Sequence, residues 1–198
     1  MTPIRCHCGK LRGEVRDFVL ENYGICHCAD CQAFAHELGA QDRVLDEFGG
    51  TAINQIRPSG VSFTEGSEHL ACLRLSPKGT VRWYASCCNT PIGNTPANKK
   101  AAFLGLIHAC WADAHTTLPK PRWSIQRKHA RPGAPADYGL RPAIFRSAMM
   151  IAGERISGRW KHNPLFDDAG APIREPRVLS LERRRELMRE VGDPRLAD

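Results

Sequence analysis

The sequence lacks any uninterrupted apolar run of about 18 residues, the length that a membrane-spanning helix requires. Its first ten residues, MTPIRCHCGK, are polar and lack the apolar centre of a signal peptide. It also contains no internal repeat and no low-complexity tract. With 42% hydrophobic and 25% charged residues, the composition is typical of a globular protein. We therefore expect a cytoplasmic protein in a reducing compartment, where structural disulfides are uncommon.

Cysteine is what the chain has in excess. It contains nine cysteines, an odd number that excludes complete pairing within the chain. Two of them, Cys72 and Cys110, stand alone in apolar segments and are predicted to be buried thiols. The other seven fall into three tight groups: Cys6 and Cys8, then Cys26, Cys28 and Cys31, then Cys87 and Cys88. Clustered cysteines in a reducing compartment indicate metal binding.

Positive charge is concentrated at one end of the chain. Residues 1–119 contain 11 basic and 11 acidic side chains, whereas the remaining 79 residues contain 17 and 10. The whole net charge of +7 therefore belongs to the C-terminal part. The chain divides into a neutral body that carries the cysteine groups and a basic extension.

The neutral body is predicted to be mainly β. Four segments, GKLRGEVRDFV, GVSFTEG, HLACLRLS and TVRWYAS, have the alternation or the β-branched and aromatic content of strands. Turn sequences such as RPSG and SPKG separate them. One short helix is expected within CADCQAFAHELG, ending at Gly39, and FLGLIHACWADAH fits either a helix or a strand. These features predict a β domain over residues 1–118.

Residues 119–198 are predicted to form a proline-rich arm followed by helices that pack on the body. The arm contains five prolines and is typical of an extended linker or a wrapping segment. In PAIFRSAMMIAGERISGRW, an apolar helical stripe is predicted to face the β body. It consists of Phe145, Met149, Ala152, Ile156 and Trp160. A last helix is expected in SLERRRELMREVG, with Ser180 as its N-cap and Gly192 after its end.

The spacing within the cysteine groups favours zinc over harder cations. Residues two apart on an extended chain point to the same side, and C-x-x-C brings two sulfur atoms to one metal. The middle group offers three ligands, the number found where a zinc ion keeps one position open. The outer groups can close a second site across the fold. A redox motif, a zinc ribbon and one structural zinc drawing on all three groups are alternative interpretations.

The order of these motifs resembles the glutathione-dependent formaldehyde-activating enzyme family, which includes centromere protein V. The similarity lies in CHCG, then CHCADCQ about twenty residues later, then an aromatic strand that ends in cysteine followed by TPIG. It covers roughly residues 1–115. It implies a small, twisted, mainly antiparallel β-tent with two zinc sites. One site is structural, and the other, on Cys26, Cys28 and Cys31, is labile and completed by glutathione.

The last motif departs from the family pattern. Where the family has C-x-x-C-G-T-P, this chain has Ala85 in the first cysteine position and Asn89 in place of the glycine. The glycine position takes a positive φ, which asparagine tolerates. Cys88 keeps the second cysteine position, and Cys87 is the substitute for the missing sulfur. We therefore predict a structural zinc on Cys6, Cys8, Cys87 and Cys88, the alternative being a degraded site.

The resemblance implies a carbon–sulfur lyase-like activity on an adduct of glutathione, or a similar thiol, with formaldehyde or another small aldehyde. No residue is assigned as catalytic. Asp30 and His36 lie near the middle group in sequence, and Arg82 and Arg57 are possible partners for the carboxylates of glutathione.

A non-catalytic function is the alternative. In it, the chain is a zinc-stabilised binding module whose basic extension contacts an acidic partner. Nucleic acid is disfavoured as that partner, because acidic and basic residues alternate in the last helix.

Overall fold

The computed structural model describes residues 1–111 and 118–192, in which the chain forms eleven strands and four α-helices. The strands are β1 Thr2–Arg5, β2 Arg12–Val15, β3 Tyr23–Cys26, β4 Thr51–Ile56, β5 Val61–Glu65, β6 Leu70–Arg74, β7 Val81–Ala85, β8 Thr90–Thr95, β9 Leu104–Ile107, β10 Trp123–Ile125 and β11 Arg177–Val178. The helices are α1 Ala29–Glu37, α2 Gln41–Val44, α3 Leu140–Ile156 and α4 Leu181–Glu190. No helix in this part of the chain is long and apolar enough to cross a membrane.

The strands form two sheets. β1, β2 and β5 make a three-stranded antiparallel sheet. The other eight make one sheet in the order β10-β3-β4-β9-β8-β7-β6-β11, in which only the two edge strands pair in parallel. The prediction of a mainly β fold is confirmed, and the four segments predicted as strands contain β2, β5, β6 and β7.

The segment FLGLIHACWADAH begins as a strand, because β9 lies inside it. A single 3-10 turn, His108–Cys110, follows, and residues 112–115 lie outside the described residues. Cys110 is buried there, and Cys72 is buried in β6, as predicted for thiols in apolar segments. The expected end of α1 is also confirmed, since Gly39 follows the helix with φ of +60°.

The basic extension supplies both edges of the large sheet. β10 pairs with β3, where the ring of Trp123 packs against the backbone of Gly24 so closely that any side chain at position 24 would collide with it. β11 pairs with β6 and forms the other edge. The segment before α3 is therefore a wrapping arm over at least part of its length. The division into domains at residues 118 and 119 stays a prediction.

The prediction that the apolar stripe of α3 packs on the body is wrong. Phe145, Met149 and Ile156 are 66%, 58% and 88% exposed. The face toward the body is instead marked by Ala143 and Glu154, the two fully buried residues of the helix. The reason is a polar network that orients α3. The side-chain amide nitrogen of Asn22 donates to the carbonyl oxygen of Ala143 at 3.2 Å and to Ser147 and Gln55 at 3.1 and 2.7 Å.

The last helix forms as predicted. Ser180 caps α4 by accepting a hydrogen bond from the backbone N–H of Arg183, and Gly192 follows with φ of +63°. Arg183 pairs with Glu186 three residues later, as expected for a helix with internal ion pairs, but it also contacts Glu37 of α1 at 2.9 Å. Since Leu187 is fully buried, α4 is packed on the body and not simply solvated.

Candidate metal centres

Cys6, Cys8, Cys87 and Cys88 come together in the structure, and we call them the four-cysteine cluster. Their sulfur atoms all lie within 4.8 Å of one another. The Cys6 sulfur is 3.6 Å from that of Cys8 and 3.7 Å from that of Cys87. The Cys8–Cys87 and Cys87–Cys88 sulfur distances are 3.4 and 3.9 Å. These separations are far too long for disulfides.

The same distances fit a tetrahedral metal site. A zinc ion with sulfur ligands at about 2.3 Å places those sulfurs about 3.8 Å apart. Four sulfur donors grouped at this spacing can hold one metal ion. Adjacent cysteines at positions 87 and 88 both reach the cluster, so the departure at Ala85 does not remove the fourth sulfur.

Two short turns build this cluster. The first follows β1, where the backbone N–H of Leu11 donates to the Cys6 sulfur at 3.3 Å. The second joins β7 to β8, whose pairing of Ala85 with Thr90 leaves four residues for the turn. Asn89 closes it with φ of +53°, as predicted for the position that usually requires glycine.

Thr90, the first residue of TPIG, connects the two turns, and the motif by itself did not indicate this role. Its hydroxyl accepts the backbone N–H of His7 at 2.9 Å and lies 3.1 Å from the Cys88 sulfur. Burial opposes ionisation of Cys88, but the hydrogen bonds from Thr90 and Cys8 outweigh it and lower the pKa of Cys88 to about 6. Burial raises the pKa of Cys6 and of Cys87. The sequence signal for Thr90 was its place at the start of TPIG, directly after the cysteine turn.

Cys26, Cys28 and Cys31 form a second group, which we call the three-cysteine cup. Their sulfur atoms also lie within 4.8 Å of one another, and the Cys26–Cys31 sulfur distance is 3.8 Å. Cys26 ends β3, Cys28 is the N-cap of α1 and Cys31 lies in its first turn. The backbone N–H of Cys31 donates to the Cys28 sulfur at 3.4 Å, so the helix start itself positions two of the three donors.

Arg82 of β7 lies against the cup. Its guanidinium is 5% exposed, with one nitrogen 4.0 Å from the Cys31 sulfur and another 3.6 Å from the Asp30 carboxylate. It also donates to Asn94 at 3.2 Å and lies 5.5 Å from the ring centre of Phe34. A cation held this firmly in a buried site stabilises negative charge beside it.

The cup therefore favours thiolates unequally. Hydrogen bonds from Cys26 and Cys28 hold the pKa of Cys31 well below its usual range, and the positive charge of Arg82 acts in the same direction, although burial opposes them. The hydrogen bond with Cys26 lowers the pKa of Cys28, but the bond to Cys31 and burial outweigh it and raise that pKa to about 12. These effects favour the thiolate form at Cys31 over that at Cys28.

The other residues considered from the sequence lie elsewhere. His36 points to α4, with Nδ1 3.6 Å from the Glu190 carboxylate, and Arg57 lies 4.0 Å from Glu154. Of Asp30, His36, Arg57 and Arg82, which the sequence placed near the cup or proposed as carboxylate partners, only Arg82 and Asp30 lie beside the cup. Asn94 and Phe34, which hold Arg82, carried no sequence signal.

Comparison with known proteins assigns most of the chain to one family. The family DUF6151, described as a family of unknown function, matches residues 1–175, which include both cysteine groups and α3. No curated protein matches the chain. A crystal structure of a Rhodobacter sphaeroides protein is similar at 15% identity with a TM-score of 0.40, over 60% of this chain and 92% of that chain. A likeness at that score carries no argument about fold or function.

Proposed function

This chain belongs to DUF6151, a family of unknown function, and we propose its function from its own cysteine geometry. We propose that it is a zinc protein with a structural four-cysteine site and an open three-cysteine site. The open site acts on the adduct of glutathione, or a similar small thiol, with formaldehyde or another small aldehyde. The proposal includes the β-tent fold and a relationship to the glutathione-dependent formaldehyde-activating enzymes.

The observation that carries the proposal is the difference in donor number between two equally compact clusters. The four-cysteine cluster has the donors of a closed structural site, and the three-cysteine cup has one fewer. Sulfur-only donors at this spacing suit zinc better than calcium or magnesium, which prefer oxygen. With a zinc ion held by the cup, the remaining position is available to an external thiolate, and the charge of the ion favours that ionised form.

The protein's own residues define what the cup can do. Three thiolates carry one more negative charge than a divalent cation balances, and Arg82 lies where it can offset that excess. Since Arg82 is almost completely buried, it acts on the cup and does not reach out to a peptide carboxylate. Asp30 holds the outer side of Arg82 and is 40% exposed, so its carboxylate is within reach of solvent.

The reaction is the reversible addition of a thiol to a carbonyl group. A carbon–sulfur bond forms between the thiolate sulfur and the aldehyde carbon, and the carbonyl oxygen receives a proton. The reverse direction breaks the same bond and releases both molecules. Holding the sulfur at a fixed point lowers the entropic cost of the encounter. No side chain is assigned as the proton donor.

Native mass spectrometry of the whole chain, with and without glutathione, tests the proposal. We expect two zinc ions per chain, one of which is lost or acquires glutathione when the thiol is added. Cys31→Ser is expected to remove that ion and its response to glutathione, and Cys72→Ser, at a buried cysteine outside both clusters, is the matched control.

The open-site proposal would be overturned by one zinc ion per chain whose binding is unchanged by glutathione and by the Cys31→Ser substitution. The four-cysteine cluster would then act only as a clamp in a non-catalytic binding module. If two zinc ions are present and glutathione binds, exchange between free formaldehyde and S-hydroxymethylglutathione, followed by NMR, decides whether the site catalyses the reaction. An exchange rate equal to that of the Cys31→Ser variant would reject catalysis.

A further inference from the structure

A cavity of about 470 Å³ lies between the outer face of α3 and the ends of β2 and β4. We call it the α3 cavity. Its size is within the range of roughly 300–1,000 Å³ that is typical of small-molecule sites. It shares no residue with either cysteine cluster, so it does not depend on the function proposed above.

One part of its wall is apolar and accessible. Phe145 and Met149 line the cavity from α3, although they are 66% and 58% exposed. Val15 and Ile56, both buried, line it from the body. Large apolar side chains grouped around a concave surface mark ligand or partner sites more often than isolated exposed ones do. The apolar residues Phe145 and Met149, which do not pack on the sheet, therefore line a cavity.

Another part of the wall is basic, and its arginines pair with a buried carboxylate. Glu154 is completely buried, and the Nε atoms of Arg159 and Arg57 lie at ion-pair distances of 3.2 and 4.0 Å from one of its carboxylate oxygens. The two arginine side chains are nevertheless 55% and 52% exposed. A guanidinium has five N–H donors, so contact through Nε leaves the terminal N–H groups for another acceptor. The buried carboxylate thus fixes two partly exposed cations at the cavity.

Positive charge exceeds negative charge around the cavity. Arg16 and Arg146 also line it, and within residues 1–111 and 118–192 neither makes an ion pair. Asp17 and Glu21 are the two acidic residues of the lining, against four arginines. When the buried carboxylate of Glu154 is included, four arginines face three acidic residues, and the net charge around the cavity is +1.

A buried amide completes the polar side. Asn22 lines the cavity and is 6% exposed. Its nitrogen serves the network that holds α3, whereas its oxygen has no hydrogen-bond partner among the described residues. A buried acceptor without a partner is unusual in a protein, and here it belongs to a residue of the cavity lining.

We propose that the α3 cavity binds a small amphiphilic anion. Arg146 and the arginine pair on Glu154 together receive its carboxylate or phosphate head, and Phe145 and Met149 cover its apolar body. The single excess positive charge fits one monoanionic head, and the exposed apolar wall requires a tail. A free carboxylate and an anionic lipid share this chemistry, so the source of the anion is a question for the experiment.

Isothermal titration calorimetry of the whole protein with octanoate provides the first test. We expect saturable binding of octanoate, and much weaker binding of acetate, which lacks the tail, and of octanol, which lacks the charge. Arg146→Gln and Met149→Ser are expected to weaken octanoate binding about tenfold or more, in line with the loss of a charge-assisted contact or of apolar cover. Neither substitution touches Glu154, so the fold is expected to persist.

Matched controls lie on the same helix outside the cavity. Arg155→Gln and Ile156→Ser alter an exposed charge and an exposed apolar side chain of α3, and we expect octanoate affinity to stay within about twofold of the parent. Equal weakening in the control variants would overturn the proposal, because binding would then depend on the helix surface in general. An octanoate affinity that is unchanged in both Arg146→Gln and Met149→Ser would overturn it as well.

Sedimentation with vesicles distinguishes the two sources. Binding to phosphatidylglycerol vesicles but not to phosphatidylcholine vesicles, lost in Arg146→Gln and kept in Arg155→Gln, would assign the anion to a lipid, whether or not octanoate binds. Octanoate binding without vesicle binding would assign it to a free amphiphile. No binding of either probe would reject the site.

Discussion

The two cysteine clusters have similar distances between their sulfur atoms, but they differ in how far apart along the chain their cysteines lie. The four-cysteine cluster joins residues 79 and 81 positions apart, whereas the cup is confined to one strand end and the helix start that follows, with its outermost members five positions apart. A link between remote segments removes far more freedom from the unfolded chain than a local one does. Under the proposed function, we therefore expect the first cluster to stabilise the fold and the second to lose a metal ion without unfolding the chain.

The clusters also differ in the charge of the groups around them. The four-cysteine cluster is supported by the N–H of Leu11 and the hydroxyl of Thr90, both neutral groups. The cup has a buried arginine, Arg82, directly beside it. A full positive charge is unnecessary for holding a turn together, and it is useful where negative charge must be accommodated as ligands come and go.

The largest effect is expected from breaking the remote link. Cys6→Ser removes one sulfur of the four-cysteine cluster and leaves the cup intact. We expect the loss of one zinc ion and a decrease of about 3–5 kcal/mol in the free energy of unfolding, because losing a structural metal is among the most destabilising changes. Denaturant unfolding with a zinc count measures both. A variant with full zinc content and parent stability would contradict the clamp.

A smaller effect on stability is expected at the cup. Cys31→Ser should remove one zinc ion and decrease the free energy of unfolding by no more than about 2 kcal/mol, since α1 is also held by its packing and by α4. The same two measurements apply. A loss of stability as large as that of Cys6→Ser would erase the proposed difference between the clusters.

Arg82→Gln sharpens the comparison of charge. All seven clustered cysteines remain, but the cation beside Cys31 is gone. We expect the cup to bind zinc about tenfold more weakly, since a charge-assisted contact is lost, with no change at the four-cysteine cluster. Competition with a chelator, followed for each ion by native mass spectrometry, gives the two affinities. Arg57→Gln, whose side chain contacts Glu154, is the control and should leave both unchanged.

The smallest effect concerns a cysteine outside both clusters. Burial raises the pKa of Cys72 from 9.0 to about 11, so the unfolded thiol ionises before the folded one. Its contribution to stability is present below pH 9 and is lost as the pH rises toward 11. In this window the free energy of unfolding should fall less steeply for Cys72→Ala than for the parent. Urea unfolding at pH 8, 9, 10 and 11 compares them, and parallel curves would contradict the shift.

The sequence predicted the elements that depend on neighbouring residues. The strands of the hairpin around TVRWYAS, the cap of α4 at Ser180 and the positive φ of Asn89 follow from short-range sterics and hydrogen bonding, and each is present. The packing of α3 could not be predicted in the same way. Its apolar residues surround the helix, and the face that turns inward was decided by the contacts of Asn22 and Ser147 with Gln55.

The sequence by itself determined which cysteines form the cup, because C-x-C-x-x-C fixes three sulfurs within two turns of chain. It also made the four-cysteine cluster a prediction, but only the packing of the two sheets against each other brought the turn after β1 to the β7–β8 turn. The tertiary structure alone selected Arg82 over Arg57 as the cation at the cup. Distances between residues remote in the chain are set by strand order and packing, and neither is encoded in local spacing.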